Sequence, residues 1–310
     1  MNEHDIAITR RTAIALAAAG ASTLLPSLPA GAQAGLISRK IPSSGEMLPV
    51  IGIGTAIIFD FENDKTKLDE RAEVIKALVA GGGRLIDTAP SYGKAEDRLG
   101  DLFAATGLRD KIFLATKVRV ASREDTIAEM KSSLAKMRVT KVELMQLHNV
   151  RDANQDLALL RDWKTQGLSK YIGVTSSFDR DYAAVEAVLK REKPDFFQID
   201  YSMVDRNSEE RLIPTAADAG CAILTNLPFG RGKFFQKTAG KPLPEWVVKD
   251  LGVTSWAQYG LKWLLGHPAI NAVIPGTDKP QYMIDNLKAG VGNMPDAAMR
   301  KRMVEHFEAL

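Results

Sequence analysis

Four side chains offer most of the chemistry in this sequence: Asp87, Tyr92, Lys117 and His148. Asp87 ends the apolar run Leu85-Ile86-Asp87, and Tyr92 follows in the loop Thr88-Ala89-Pro90-Ser91-Tyr92-Gly93. Lys117 ends a further apolar run and His148 another. A phenol is a poor acid at neutral pH, with a reference pKa of about 10. A nearby ammonium stabilises the phenolate and lowers that value. A carboxylate beside the ammonium keeps it charged and fixed in place. An imidazole orients a carbonyl oxygen or shares its proton. Brought together, the four polarise and protonate a carbonyl group. Singly, each has a plainer role: Asp87 as a turn cap, Tyr92 as a packed loop aromatic, Lys117 as a snorkelling surface cation, His148 as a satisfied near-surface histidine.

Four groups so far apart in sequence meet only if a fold gathers the ends of their strands. Short apolar runs alternate with amphipathic ones from residue 50 onward. Strands are predicted over Val50–Gly54, Arg84–Thr88, Ile112–Lys117, Val142–His148, Tyr171–Thr175, Phe196–Asp200, Ala222–Asn226 and Ala272–Pro275. Helices are predicted near 66–80, 94–105, 122–137, 154–166, 179–192, 206–219, 254–266 and 280–289. The strand runs are nearly continuous in Val, Ile, Leu and Phe, as parallel strands covered on both faces require. Eight such units in about 250 residues fit an α/β fold of the closed (β/α)8, or TIM-barrel, type. The polar, turn-rich stretch Leu36–Pro49 reads as an N-terminal hairpin, and residues 292–310 as a C-terminal helix with Met303, Phe307 and Leu310 on one side. An open doubly wound sheet uses the same alternation. Its dinucleotide fingerprint is missing, because Gly52-Ile53-Gly54 lacks the third glycine. In a barrel, polar residues at the C-terminal strand ends face one common site.

Composition narrows the function class. Of 310 residues, 45% are hydrophobic and 25% charged, an ordinary globular balance. The net charge of +3 is spread without a basic stripe, so no nucleic-acid partner is expected. The one cysteine, Cys221, excludes an intramolecular disulfide and a Cys-based zinc site. The four histidines follow no ligand spacing, so no metal is assigned. Residues 1–34 read as an export signal peptide, with residues 35–310 as one catalytic barrel. Arg10-Arg11 precedes the Ala-rich run Ile14–Leu25, which is shorter than the roughly 20 apolar residues a membrane span needs. Ala32-Gln33-Ala34 then supplies a small-x-small cleavage site. The arrangement resembles a bacterial twin-arginine signal and implies the twin-arginine machinery as partner, a periplasmic or otherwise exported location, and no membrane anchor after cleavage. A non-cleaved extension is the alternative.

The motifs resemble those of the aldo-keto reductases. Leu85-Ile86-Asp87-Thr88-Ala89 with Tyr92-Gly93 and Glu96 is similar to that family's first signature. Ala115-Thr116-Lys117-Val118 and Gln146-Leu147-His148-Asn149 match the next stations of its Asp-Tyr-Lys-His tetrad. Further likeness runs through Ile51–Thr55, Ile172–Ser176, Phe197–Tyr201 and Ile274–Asn286. The resemblance implies an NAD(P)H-dependent reduction of an aldehyde or ketone. Tyr92 would protonate the oxygen, Lys117 lower its pKa, Asp87 anchor Lys117, and His148 position the substrate. It further implies NADP(H), with NAD(H) the rival. Ser176 and Gln198 would hold the carboxamide, with Thr55 and Asp87 by the adjoining ribose. Asn226 and the loop Leu227-Pro228-Phe229-Gly230-Arg231-Gly232 would lie along the nicotinamide and pyrophosphate. Gly276, Thr277 and Lys279 would meet the adenosine phosphate, and Asn286 the adenine.

This chain departs from the family pattern at three places. Asn226 stands where an aromatic ring is common, Ser176 where Asn is frequent, and Tyr282 where many members carry Arg. Phe59, Trp163, Phe229, Phe234 and Phe235 are candidates to line an apolar pocket. Two other functions share the residues: a dinucleotide-binding sensor or partner subunit with little turnover, and a Schiff-base aldolase acting through Lys117.

Overall fold

The computed structural model describes residues 35–119 and 122–310. The segment read as an export signal lies outside the described residues. The described residues cluster as one compact unit.

The hairpin comes first, pairing β1 (Ser38–Lys40) antiparallel with β2 (Met47–Pro49). Eight parallel strands follow: β3 (Gly52–Gly54), β4 (Leu85–Asp87), β5 (Phe113–Val118), β6 (Val142–Leu147), β7 (Ser169–Ser176), β8 (Phe196–Asp200), β9 (Ala222–Asn226) and β10 (Ile270–Val273). They pair in chain order from β3 to β10. A bridge between Ile51 and Val273 brings the two edges together, with the Val273 amide donating to the Val50 carbonyl at 2.9 Å. The result is the nearly closed (β/α)8 barrel that the alternation predicts, with its hairpin and C-terminal helix.

Helices α1 (Lys65–Ala80), α2 (Ala95–Thr106), α3 (Arg123–Met137), α4 (Ala158–Thr165), α5 (Tyr182–Glu192) and α6 (Leu212–Asp218) connect successive strands. Three helices separate β9 from β10: α7 (Lys233–Thr238), α8 (Glu245–Leu251) and α9 (Trp256–Leu265). The chain ends with α10 (Pro280–Lys288) and α11 (Ala297–Ala309). On α11, Met303 and Phe307 are buried.

Strand period two sorts the side chains into two cores. Leu85, Phe113, Ala115, Leu144, Tyr171 and Phe196 share the barrel interior with Leu224 and Ile274. Ile41 and Leu48 of the hairpin join that interior cluster and plug its N-terminal end. Ile86, Leu114, Met145, Phe197 and Ile223 belong to the outer core against the helices. The interior parity continues upward from apolar to polar: Leu85 to Asp87, Ala115 to Lys117, Leu144 to Gln146, Phe196 to Gln198. The open, C-terminal end of the barrel is therefore where the polar groups gather.

Several boundaries differ from the sequence expectation, each for a local reason. β10 ends at Val273 rather than Pro275, because proline has no N–H to continue a ladder. α4 starts at Ala158 rather than near 154. There Asp152 and Asp156 carboxylates accept from the Asn154 and Ala158 amides and hold turns instead. α6 begins at Leu212, not 206, because Asp205 and Ser208 side chains engage nearby backbone. α7 and α8 went unpredicted; at six and seven residues they are too short to show a helical period.

Candidate active site

At the polar end of the barrel, the Lys117 ammonium donates to both Asp87 carboxylate oxygens and to the Thr88 carbonyl, each at 2.8 Å. Asp87 and Lys117 are 2% and 1% exposed, so the ion pair is sealed from water. A buried pair of this kind holds only with further hydrogen bonds around it. Gln146 Nε2 donates to Gln198 Oε1 at 2.9 Å and lies 3.4 Å from Asp87 Oδ1, and Gln198 Nε2 lies 3.3 Å from Asp87 Oδ2. Gly173 makes room for this network: a Cβ there would sit 3.0 Å from Gln146 Cγ. In the sequence Gln146 shows only as part of the run Gln146-Leu147-His148-Asn149. Its signal was inward parity, two residues before His148.

Tyr92 stands over the pair, with the Lys117 Nζ 5.0 Å from its ring centroid. The His148 ring meets it edge-on at 5.9 Å between centroids. The loop is pinned by the Tyr92 amide donating to the Ala89 carbonyl (3.1 Å) and the Ala95 amide to the Tyr92 carbonyl (3.0 Å). The four tetrad residues are thus brought together.

Burial pulls the Lys117 ammonium down, but the Asp87 carboxylate and the Tyr92 hydroxyl more than offset it, and its pKa lies above the ordinary lysine value. Burial likewise raises the Asp87 carboxyl, against the opposing charge of Lys117. At Tyr92 the nearby Lys117 lowers the pKa, as expected, but burial acts against it. The Tyr92 pKa is raised, because burial disfavours the phenolate more than Lys117 favours it, and the Asp87 and Asp200 charges add to the rise. The phenol is therefore a firmly protonated donor in the free protein, and Lys117 acts by limiting the rise. Burial and the cations Lys117, Arg119 and Arg151 push the half-buried His148 imidazole down to about 3, so it is neutral at ordinary pH.

Beyond this centre the mouth carries unspent oxygens. Thr55 Oγ1, Gln146 Oε1, Asn149 Oδ1, Ser176 Oγ and Asn226 Oδ1 are buried without hydrogen-bond partners among the described residues. Buried polar groups are normally paired, so these fit a ligand bearing donors such as a carboxamide. Gln198 spends its amide on Gln146 and Asp87 here. Asn226 Nδ2 donates to Asp200 Oδ1, and Asp200 also accepts from Ser177 Oγ at 3.1 Å. Asp200, which sequence reasoning left unassigned, has its carboxyl raised chiefly by burial; its signal too was inward parity, two residues past Gln198.

The loop after β9 runs through positive φ at Leu227, Gly230, Arg231 and Gly232 (49°, 53°, 54° and 86°). Two of these are glycines, which adopt the left-handed region freely. Thr55 lies beside Asp87, its amide donating to the Asp87 carbonyl at 3.0 Å. Across the barrel seam, Gly276 is exposed in the turn after β10, while Thr277 and Asn286 are 5% and 4% exposed. Lys279 is committed to Glu70, 2.5 Å away, and Tyr282 is exposed. Of the aromatic candidates, Phe59, Trp163 and Phe234 are core residues, whereas Phe229 is half-buried and Phe235 exposed. A cavity of about 720 Å³ opens beside Asp200, between the loops after β8 and β9. Arg231 and Lys233 on its rim form no ion pair among the described residues.

Residues 50–303 match the model of the Aldo/keto reductase family. The chain belongs to that family, and with it to the NAD(P)H-dependent oxidoreductases. Aldo-keto reductase YhdN of Bacillus subtilis is 27% identical over 284 residues, covering 78% of this chain and 85% of the relative. Aldo-keto reductase str7 of Strobilurus tenacellus is 27% identical over 274 residues, covering 75% of this chain and 81% of the relative. Among solved structures, an aldo-keto reductase from Klebsiella pneumoniae in complex with NADPH superposes with a TM-score of 0.72 at 18% identity, over 88% of this chain and 95% of that one. Within this reductase, Asn226 keeps its amide on Asp200 where family members commonly present an aromatic face.

Proposed function

We propose that this aldo-keto reductase reduces an aldehyde or ketone to the alcohol, with Tyr92 as general acid and NADPH as the favoured reductant. The observation that carries the reading is the sealed Lys117–Asp87 pair beneath the Tyr92 ring. When bound, the dinucleotide supplies hydride to the carbonyl carbon. Tyr92 holds the proton for the carbonyl oxygen, and its raised pKa keeps that proton in place until negative charge develops on the oxygen. Lys117 then stabilises the phenolate left behind, while Asp87, braced by Gln146 and Gln198, keeps the ammonium charged. Neutral His148 donates a hydrogen bond to the same oxygen and orients it.

The unpartnered oxygens of Thr55, Ser176 and Asn226 support a nicotinamide and ribose at the mouth. The left-handed loop Leu227–Gly232 supports a pyrophosphate contact through close backbone approach; by the family resemblance Gly276 and Thr277 would meet the adenosine phosphate and Asn286 the adenine. The NADPH complex of the Klebsiella pneumoniae relative favours NADP. Lys279 brings little free charge to a 2′-phosphate because Glu70 already neutralises it, so NAD stays the rival. The aldolase alternative is disfavoured, since a Schiff base needs a neutral amine and Lys117 is charged with three acceptors engaged.

Titrating NADPH and NADH into the purified protein while following tryptophan fluorescence, then assaying simple aldehydes, tests the reading. Saturable binding with turnover that Tyr92→Phe abolishes is expected. Binding without turnover would instead favour a dinucleotide sensor. We propose in addition that Arg10-Arg11 and Ala32-Gln33-Ala34 direct export and cleavage; N-terminal sequencing of protein from the periplasm should begin at Gly35.

A further inference from the structure

We propose that the loop Thr55–Asp60 is a strap tying the turn after β10 to the loop that carries Tyr92, and that Asp60 is a positioning residue for the phenol. The inference rests on the reading of Tyr92 as proton donor. The strap is tightly wound. Its Phe59 amide donates to the Thr55 carbonyl at 3.0 Å, and the Phe59 side chain is fully buried as an anchor. At its apex Ile57 sits at φ 69° and is 82% exposed. A β-branched residue in the left-handed region is strained, and here no burial repays it; such outliers persist where the surroundings dictate the backbone.

Both ends of the strap are fastened. On the cofactor side, Arg71 of α1 is only 6% exposed. Its Nε donates to the Ile58 carbonyl at 2.9 Å and its Nη1 to the Asp278 carbonyl at 2.8 Å. One guanidinium therefore joins the strap to the turn after β10, across the seam where the barrel edges meet. The Ile58 side chain lies against Gly276, 3.6 Å from where a Cβ would be. On the proton-donor side, the Asp60 carboxylate accepts from the Lys94 amide at 2.9 Å. Lys94 is the N-cap of α2 and its side chain makes no cap hydrogen bond; Asp60 takes the amide of the N-cap residue itself and places a negative charge at the helix start. The same carboxylate lies directly over Gly93, where φ is 55° and a Cβ would come within 2.1 Å of Asp60 Oδ1. Gly93 and Lys94 are the two residues that follow Tyr92. Moving Asp60 therefore moves the backbone that aims the phenol at the substrate oxygen.

The two ends make opposite predictions for the full-length protein. Asp60→Ala lowers kcat by about tenfold, as a misplaced catalytic group does, and leaves cofactor Kd within about twofold of wild type. Asp60→Asn keeps an acceptor for the Lys94 amide and brings kcat back to within about threefold. Arg71→Met raises cofactor Kd by about fivefold and leaves kcat at saturating cofactor unchanged. An unchanged kcat in Asp60→Ala, or the same kcat-to-Kd split in both variants, overturns the strap. Hydrogen exchange of the Tyr92 and Ala95 amides in the ligand-free protein separates this idea from the reductase reading. Neither amide bonds to Asp60, so faster exchange in Asp60→Ala and not in Asp60→Asn supports the strap whether or not a carbonyl compound is turned over. Unchanged exchange in both overturns it. Absence of cofactor binding by the wild type counts against the proposed function alone.

Discussion

Around β4, β5 and β6 the charged groups of the barrel mouth are locked to one another, although Gln146 Oε1 and Asn149 Oδ1 have no partner among the described residues there either, whereas around β7, β9 and β10 the mouth is more open. On the first side, Lys117 has three acceptors, Asp87 is met by an ammonium and two amides, and the Tyr92 ring rests between Lys117 and His148. On the second side, Ser176 Oγ and Asn226 Oδ1 are buried without partners, and the loop after β9 turns through four left-handed residues. The chain's departures from the family pattern, at Ser176, Asn226 and Tyr282, all fall on that open side. If Tyr92 is the proton donor, as proposed, chemistry demands fixed geometry there, because charge appears during the reaction and must find its dipoles already aligned. Ligand affinity tolerates variation, because many small contacts add up to it.

The comparison breaks most sharply at the proton donor. Tyr92→Phe should cost roughly 10²- to 10⁴-fold in kcat, the usual range for a general acid, with cofactor binding retained in a fluorescence titration. A loss confined to cofactor affinity would place Tyr92 on the wrong side of the comparison. Next comes Lys117→Met, which strands a buried carboxylate. It should destabilise the protein by about 3–5 kcal/mol, read from the shift in urea midpoint, and the Asp87→Asn/Lys117→Met double variant should recover part of that loss. A double variant no better than the single one would mean that the pair is not the coupled unit described here.

The pH dependence sharpens the same side. Burial and the neighbouring cations push the folded His148 imidazole from its ordinary value of 6.5 down to about 3. Between those values the unfolded chain binds a proton that the folded one refuses. Stability therefore falls as pH drops from 6.5 towards 3, and this group contributes no slope above 6.5. His148→Gln should flatten the urea-midpoint profile in that window; an unaltered slope would show that other groups carry it. Tyr92, with its pKa raised, stays protonated through neutrality, so the reduction rate should not fall with pH until well into the alkaline range.

On the open side, effects should be smaller and some should be gains. Asn226→Tyr restores an aromatic face worth about 0.5–1.5 kcal/mol, or roughly two- to tenfold tighter cofactor binding. Weaker binding would mean that the Asn226–Asp200 contact is itself needed by the ligand. Smallest of all, Glu70→Gln frees Lys279 and should shift the NADPH-to-NADH preference by no more than about threefold, because exposed ion pairs contribute little.

Much of the site was legible because parity and spacing are local properties. Leu85-Ile86-Asp87, Ala115-Thr116-Lys117 and Gln146-Leu147-His148 announce strands whose last inward or near-inward residue is polar, and strand order does the rest. Gln146 and Asp200 share that parity, but the sequence gives neither a distinct role. Neither has meaning until the barrel closes and sets it beside Asp87 or Asn226. The short helices α7 and α8 and the strained Ile57 left no periodic trace at all.

The amino-acid sequence by itself determined the strand–helix alternation, the barrel class and the hairpin, and it marked Asp87, Lys117 and His148 as candidates, because hydrophobic period and strand-end polarity are written along the chain. Only the tertiary structure decided the sign of the Tyr92 shift, the commitment of Lys279 to Glu70, and the bracing of Asp87 by two glutamines. Each of those is a balance between burial and charges supplied by residues from different strands and helices. Desolvation depends on what surrounds a group in space, and a linear sequence does not carry that distance.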